Sequence, residues 1–308
     1  MQLYYFKDKH GNFGDDLNPW FWQNALGNFF DDDDHVLLVG IGTLINHRAP
    51  CGRKKITLGS GVGYGNLPAD LENWDFQLVR GPLSAQKLGL DEYHWITDPA
   101  VLVPSFLPLT DVKKKYAYSF LPHHGSDRVG DWQRLCNEAG LNYISPGMSP
   151  HDVFKEIKSS HILITEAMHG AIIADAYRTP WIPVKCSRHF SDFKWDDWMQ
   201  SMGILATVSE IPCHYAGYTN QSFSTKFKSE VKHLLQSIGF RPAHWTPPVP
   251  RRSTNAAERK IIDKLKLCRD FPATLSDEKI LADRIERFQE FLVKFAAEFG
   301  PNQTCSKR

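Results

Sequence analysis

The sequence predicts an α/β protein: two doubly wound, Rossmann-like domains facing across a cleft, followed by C-terminal helices. Three observations lead there. Short apolar runs alternate with amphipathic segments from residue 1 to about 110. The same alternation restarts at about 111 and continues to about 240, and a proline-rich connector at 241–253 then leads into two charged helical segments that run on toward residue 308. Strands alternating with helices imply parallel sheets, with ligands gathered at the C-terminal ends of the strands. A chain of 308 residues can supply each domain with its own core.

In the first part (1–110), "LYYF" (3–6) reads as a strand. "NPWFWQNAL" (18–26) reads as a helix capped by Asn18 with Pro19 at its first position. "HVLLVGIG" (35–42), "KKITLGSGVG" (54–63) and "DFQLVRG" (75–81) read as buried strands ending in glycine-bearing loops, and "PLSAQKLGL" (82–90) as a helix with a glycine stop. In the second part (111–240), "KKYAYSFLPHH" (114–124) and "NYIS" (142–145) read as strands and "GDWQRLCNEAG" (130–140) as a helix ended by Gly140. "SPHDVFKEIKSS" (149–160) begins with Ser149 at the N-cap and Pro150 at the next position. The stretch "HILITEAMHGAIIADAYRTPWIPV" (161–184) then reads strand, kink, helix, strand. Helices are expected at about 254–268 and 276–298, the last with an apolar stripe through Leu281, Ile285, Phe288, Phe291, Leu292 and Phe295.

Composition narrows the function. With 42% hydrophobic and 23% charged residues the chain has the make-up of a soluble globular protein. Lys and Arg (36) nearly balance Asp and Glu (35), so no global field draws it to nucleic acid. The six scattered cysteines include no CxxC pair, which argues against a disulfide framework or zinc site and for reduced, cytoplasmic thiols. No metal site is expected. The N-terminus turns polar after six residues, unlike a signal peptide, and no apolar run approaches the ~20 residues of a membrane span. "DDDD" (31–34) reads as a solvated turn.

The chemistry concentrates in loops. His169 falls in the first turn of the helix after "HILI", where free N–H groups and the helix dipole suit an anion. Gly170 beside it permits close approach of a ligand or a neighbouring strand. "VKCSRHFSDFKWDDW" (184–198) places Lys185, Arg188, His189 and Lys194 in one loop, interleaved with Phe190, Phe193, Trp195 and Trp198. The cations suit a small polyanion; the aromatics fit either that site or a structural anchor. In "HGNFGDDLN" (10–18), Asn12 and Gly14 lie in a tight turn, with Asp15 and Asp16 just before a helix. One of these carboxylates fits an N-cap and the other a proton acceptor. "LGSGVGYG" (58–65) matches neither GxGxxG nor the P-loop, so Gly61 and Gly63 are read as letting backbone amides approach a ligand. Arg80, at a strand end, can grip a carboxylate or phosphate with two prongs.

"GNFGDDLN", "GIGTLIN", "GSGVGYG", "VRGPLSA", "ITDPAVLVP", "EAMHGAIIADAYRTPWIPV" and "FKWDDW" occur in this order over about residues 1–205. Together they resemble the polysaccharide pyruvyl transferase family, especially its bacterial ketal-forming members. The resemblance implies a two-domain fold like that of GT-B glycosyltransferases. It also implies phosphoenolpyruvate as donor with no further cofactor, and a sugar of a lipid-linked oligosaccharide as acceptor. It puts the family's histidine on His169, its donor-binding arginine on Arg80 and its lysine on Lys194. Many members carry an arginine two residues before the histidine, where this chain has Ala167 preceded by Glu166; Arg188 or Lys185 would have to replace it. His169 is then the acid that protonates the donor's methylene carbon, Arg80 and Lys194 offset charge as phosphate leaves, and Asp15 or Asp16 receives the acceptor's proton. Two rival readings stand beside this one: a GT-B nucleotide-sugar glycosyltransferase, and a non-catalytic module binding anionic glycans. Residues 251–269, rich in Arg and Lys, fit either peripheral contact with the inner membrane face or a brace packed back on the protein.

Overall fold

The computed structural model describes residues 1–31, 35–187, 190–218, 222–237, 239 and 248–300. The solvated turn (32–34), Arg188, His189 and most of the proline-rich connector (241–247) lie outside the described residues.

The first sheet comprises β1 (Gln2–Tyr4), β2 (Val36–Val39), β3 (Lys54–Ser60) and β4 (Trp74–Val79), all parallel and in that order. Its helices are α1 (Phe13–Leu26), α2 (Pro82–Leu88) and the short α3 (Val103–Phe106). The strand order has no reversal, so this half is not doubly wound as expected. Only the β1–β2 crossover carries an α-helix; the next two connections run through loops and a single 3₁₀ turn. Neighbouring residues face opposite ways: Leu38 and Leu78 enter the largest core, while Val39 and Val79 enter a separate one with Leu44, Val62 and Ala85.

The second half contains β5 (Tyr116–Leu121), α4 (His124–Val129), α5 (Trp132–Ala139), β6 (Asn142–Tyr143), α6 (Pro150–Lys158), β7 (Ser160–Thr165), α7 (Met168–Ala176), β8 (Trp181–Lys185), α8 (Asp192–Ser201), β9 (Ser209–Glu210) and α9 (Phe223–Ser237). Its sheet is parallel in the order β6-β5-β7-β8-β9. The chain therefore reverses direction between β5 and β7, the kind of switch point that opens a crevice at the strand ends. Ser149 caps α6 by accepting from the Asp152 N–H at 3.2 Å, and Gly140 ends α5 in the left-handed conformation (φ 70°), both as the sequence predicts.

The start of α1 differs from expectation. The helix begins six residues earlier, at Phe13, which leaves Pro19 inside it. Proline has no N–H for the Asp15 carbonyl. The Asn18 side chain donates to that carbonyl instead (2.9 Å), and also to the Ile41 carbonyl (3.0 Å), while its oxygen accepts from the Ile41 N–H and the Trp22 indole. Asn18 is thus a buried tie between α1 and the loop after β2, and not a cap.

The last two helices serve different halves. Helix α10 (Asn255–Leu267) buries Ile261, Ile262 and Leu265 against Phe120, Trp132 and Leu135 of the second half. Helix α11 (Glu278–Phe299) returns to the first half, where Phe295 meets Phe29 at 5.5 Å between ring centroids. One continuous apolar cluster joins α1 and α11 to α6 and α7, so the two sheets share a core.

Candidate active site

Loops at the C-terminal ends of both sheets enclose a cavity of about 330 Å³. The first half contributes Asn12 and Asp15 from the start of α1, Thr43 and Arg48 after β2, and Tyr64 after β3. The second contributes His123 after β5, Met168 and His169 from α7, and Lys194 from α8. The crevice at the β5/β7 switch point is therefore part of this cavity.

His169 owes its place to a braced turn. The Thr165 hydroxyl donates to the Leu121 carbonyl and accepts from the Ala167 N–H, each within 3.1 Å, which fixes the kink between β7 and α7. Gly170 serves the neighbouring strand: a Cβ there would lie 2.7 Å from Leu121 Cδ2. Gly14 does the same for the histidine, because a Cβ on it would stand 2.3 Å from His169 Nδ1. The first turn of α1 and the first turn of α7 thus meet through a glycine and an imidazole.

The two aspartates divide their roles. Asp16 accepts from the Asn12 backbone N–H at 2.9 Å and serves as a cap for α1. Asp15 lines the cavity and accepts from the Asn12 side-chain amide at 2.5 Å. Burial pushes its carboxyl up to about 6, against the pull of His169 and Lys194. Lys194 donates to the Tyr64 hydroxyl at 2.5 Å and lies 4.3 Å above that ring. Burial, reinforced by the Arg80 guanidinium, pushes its ammonium down to about 7, with Asp15 pulling the other way. Two groups that exchange protons near neutrality thus share one small space, as acid–base chemistry requires.

Several expected residues are elsewhere. Lys194 is in helix α8, not in a loop, and reaches the cavity because Gly63 leaves room for its stem (a Cβ would be 2.6 Å from Lys194 Cγ). Arg80 is wholly buried and does not line the cavity. Its Nε and Nη2 each lie 3.1 Å from Asp197 Oδ2, Nη1 donates to Thr43 Oγ1 at 3.1 Å and Nη2 to the Val62 carbonyl at 3.2 Å. Gly61 faces that guanidinium, with a Cβ 2.4 Å from Arg80 Cζ, so it makes room for Arg80 and not for a ligand. Lys185 is outside the cavity and pairs with Asp192 at 3.3 Å. Glu166 is buried and joins three loops by accepting from His123 N–H, Cys186 N–H and the Ser187 hydroxyl. The loop aromatics form an anchor: Phe190 stacks on Trp195, and Trp195 and Trp198 both pack on Trp181. Sequence reasoning missed Arg48, Tyr64 and His123 as lining residues. "GYG" and "LPHH" at strand ends were signals for the last two, while Arg48 had none.

The shifted groups set a pH signature. Asp15 lies above its ordinary value of 3.8, so between about 4 and 6 the folded state keeps a proton that the unfolded chain has released. Stability contributed there falls as pH rises. Lys194 lies below its ordinary 10.5, so between about 7 and 10.5 the unfolded chain holds the extra proton and stability rises with pH. Asp15→Asn removes the first window. Its stability relative to the parent is expected to increase by roughly 1–3 kcal/mol from pH 4 to pH 6.5, read by urea melts. A difference independent of pH would show that Asp15 ionises freely.

A cleft between two parallel α/β sheets, lined by a histidine, a buried aspartate and a buried lysine, has the equipment of a group-transfer enzyme. The chain belongs to the polysaccharide pyruvyl transferase family, whose model matches residues 3–188. It is 43% identical to the succinoglycan biosynthesis protein ExoV of Rhizobium meliloti (strain 1021), over 318 aligned positions covering 95% of this chain and 98% of that protein. His169, Asp15 and Tyr64 lie within the family match; Lys194 lies beyond it, within the chain's likeness to that relative.

Proposed function

We propose that this enzyme moves the pyruvyl group of phosphoenolpyruvate to a sugar of a lipid-linked exopolysaccharide repeat unit, forming a cyclic ketal and releasing phosphate. Residues 1–110 form the acceptor side and 111–240 the donor side of a GT-B-like pair. The observation that carries this reading is the meeting of Asp15, His169 and Lys194 in one cavity of about 330 Å³, a volume at the small end of ligand sites and suited to a compact donor. The name of the succinoglycan relative supports the choice of acceptor class.

Ketal formation follows from these groups. The donor's carboxylate and phosphate need cations, and Lys194 and Arg48 line the space. Protonated His169 delivers a proton to the methylene carbon, so that C2 becomes the electrophile. A sugar hydroxyl attacks C2 and gives its proton to Asp15. The C2–O bond to phosphate then breaks, with Lys194 offsetting the charge, and a second hydroxyl of the same sugar closes the ring. One hydroxyl proton replaces the one spent from His169 on the new methyl group, and the other leaves with phosphate. Each ketal therefore costs one phosphoenolpyruvate and yields one phosphate.

A lipid-linked acceptor implies work at a membrane face, and we extend the proposal to peripheral attachment there. No helix among the described residues is long and apolar enough to cross a membrane. Helix α9, however, exposes Phe223, Phe227 and Leu234 beside Lys226 and Lys228, and α10 turns Arg259, Lys260, Lys264 and Lys266 outward. Both features suit an anionic interface.

The test supplies purified enzyme with phosphoenolpyruvate and acceptor oligosaccharide on anionic vesicles. Acceptor-dependent phosphate release, a ketal methyl signal in the product and salt-sensitive sedimentation with the vesicles are expected. Nucleotide release from a sugar nucleotide instead would select the glycosyltransferase reading. Glycan binding with no release would select the binding module.

A further inference from the structure

Asp98 stands outside the cavity and takes no part in the steps above, yet it is the carboxylate that His169 faces. It follows Thr97 at the end of the segment after α2 and is wholly buried. Its Oδ1 accepts from the Ala100 N–H at 3.0 Å, capping the turn Pro99–Leu102. Its Oδ2 lies 3.8 Å from His169 Nε2. Both atoms are buried, and neither has a hydrogen-bond partner among the described residues. Two buried polar atoms left unsatisfied and turned toward each other are costly unless they act on one another.

The carboxylate is firmly held. Pro99 packs against Gly59 of β3, where a Cβ would lie 2.6 Å from the proline ring, and α7 packs on the same turn. Asp98 comes from the first half of the chain and His169 from the second, so the pair exists only where the halves are docked. The His169 side chain is 13% exposed although its Nε2 is buried. The Nδ1 edge, away from Asp98, faces Gly14 in the first turn of α1, next to Asp15 and on the side of the cavity that both His169 and Asp15 line.

We infer that Asp98 is a positioning residue for His169: it holds the proton on Nε2 and so assigns transfer to and from substrate to Nδ1. This rests on the reading of His169 as the acid. In the transfer step the Nδ1–H bond breaks, its electrons stay on Nδ1, and the new C–H bond forms from the donor's double bond. The imidazole left behind carries its single proton on Nε2, the tautomer that a carboxylate at that end favours. The acceptor proton taken up by Asp15 restores Nδ1–H. The logic is that of a buried aspartate fixing a histidine tautomer in a hydrolytic triad, applied here to protonation of carbon.

The experiment combines Asp98→Asn with selective ¹⁵N labelling of histidine, the His169 signal being identified by its loss in His169→Ala. Asparagine retains an oxygen to cap the Ala100 N–H, so the turn survives, but it turns an amide donor toward Nε2. The expected result has three parts. The parent's neutral His169 shows a protonated Nε2 and a bare Nδ1. In Asp98→Asn the pattern inverts. The kcat of that variant falls on the order of 10²-fold or more, while KM for phosphoenolpyruvate stays within about twofold. A bare Nε2 in the parent overturns the inference without any variant. So does an Asp98→Asn enzyme with parental kcat, or one whose loss lies in KM. Should Asp98→Asn stay active while His169→Ala is dead, only the positioning role falls. Should His169→Ala itself be active, the reading of the acid falls with it.

Discussion

Replacing His169 by alanine is expected to lower turnover by about 10²–10⁴-fold, the usual worth of a positioned general acid, while the fold survives. The side chain lines the cavity, and its ring covers Gly14. Truncation therefore enlarges a solvent-reachable cavity and opens no sealed void in the core. The helix start around it is fixed by Thr165, Leu121 and Ala167, none of which depends on the imidazole. Phosphate release from phosphoenolpyruvate, measured beside a thermal melt, checks both halves of this statement. Turnover near the parent's in a cooperatively melting variant would move the proton donor elsewhere, with Asp15 next in line. Gly14→Ala should mimic the loss in part, since its Cβ claims the space of His169 Nδ1.

Much of this site was legible because local rules decide it. A strand, a kink and a helix start place His169 wherever "HILITEAMHG" folds, and cap and stop residues set α2, α5 and α6 almost as written. What failed was decided by partners distant in sequence. Asn18 looks like a cap beside Pro19 until the Ile41 loop arrives to occupy its amide. Asp15 and Asp16 are indistinguishable locally; one becomes a cap and the other a buried cavity carboxylate only when His169 and Lys194 close over the first. Arg80 has the position of a ligand-binding arginine, yet a carboxylate 117 residues later takes its guanidinium. Its influence on the site is exerted at one remove, by depressing the ammonium of Lys194. Asp98 carried a visible signal in "TDP", but nothing local says which residue it will face.

Asp197→Ala is expected to destabilise the fold by roughly 3–5 kcal/mol, the cost of leaving a buried charge without its partner. Arg80 and Asp197 are both wholly buried. The carboxylate has a second duty: it accepts from the Ser84 N–H at 2.9 Å and the Ser84 hydroxyl at 2.6 Å, at the start of a helix whose own N-cap residue, Gly81, has no side chain to offer. Helix α8 of the second half thereby caps α2 of the first, and alanine removes ion pair and cap together. Urea melts should show the loss in full for Asp197→Ala and in part for Asp197→Asn, which keeps an acceptor for Ser84. Adding Arg80→Met to Asp197→Ala should recover stability, because the stranded guanidinium is then gone; additive losses in that cycle would mean the pair is not coupled. The consequence reaches the chemistry because Lys194 lies one turn before Asp197 on α8. A loosened α8 withdraws the ammonium from Tyr64 and from Asp15, so the partly stable Asp197→Asn enzyme should need more phosphoenolpyruvate to reach half-maximal rate. An unchanged KM in that variant would show that the brace holds the halves together without setting the position of Lys194.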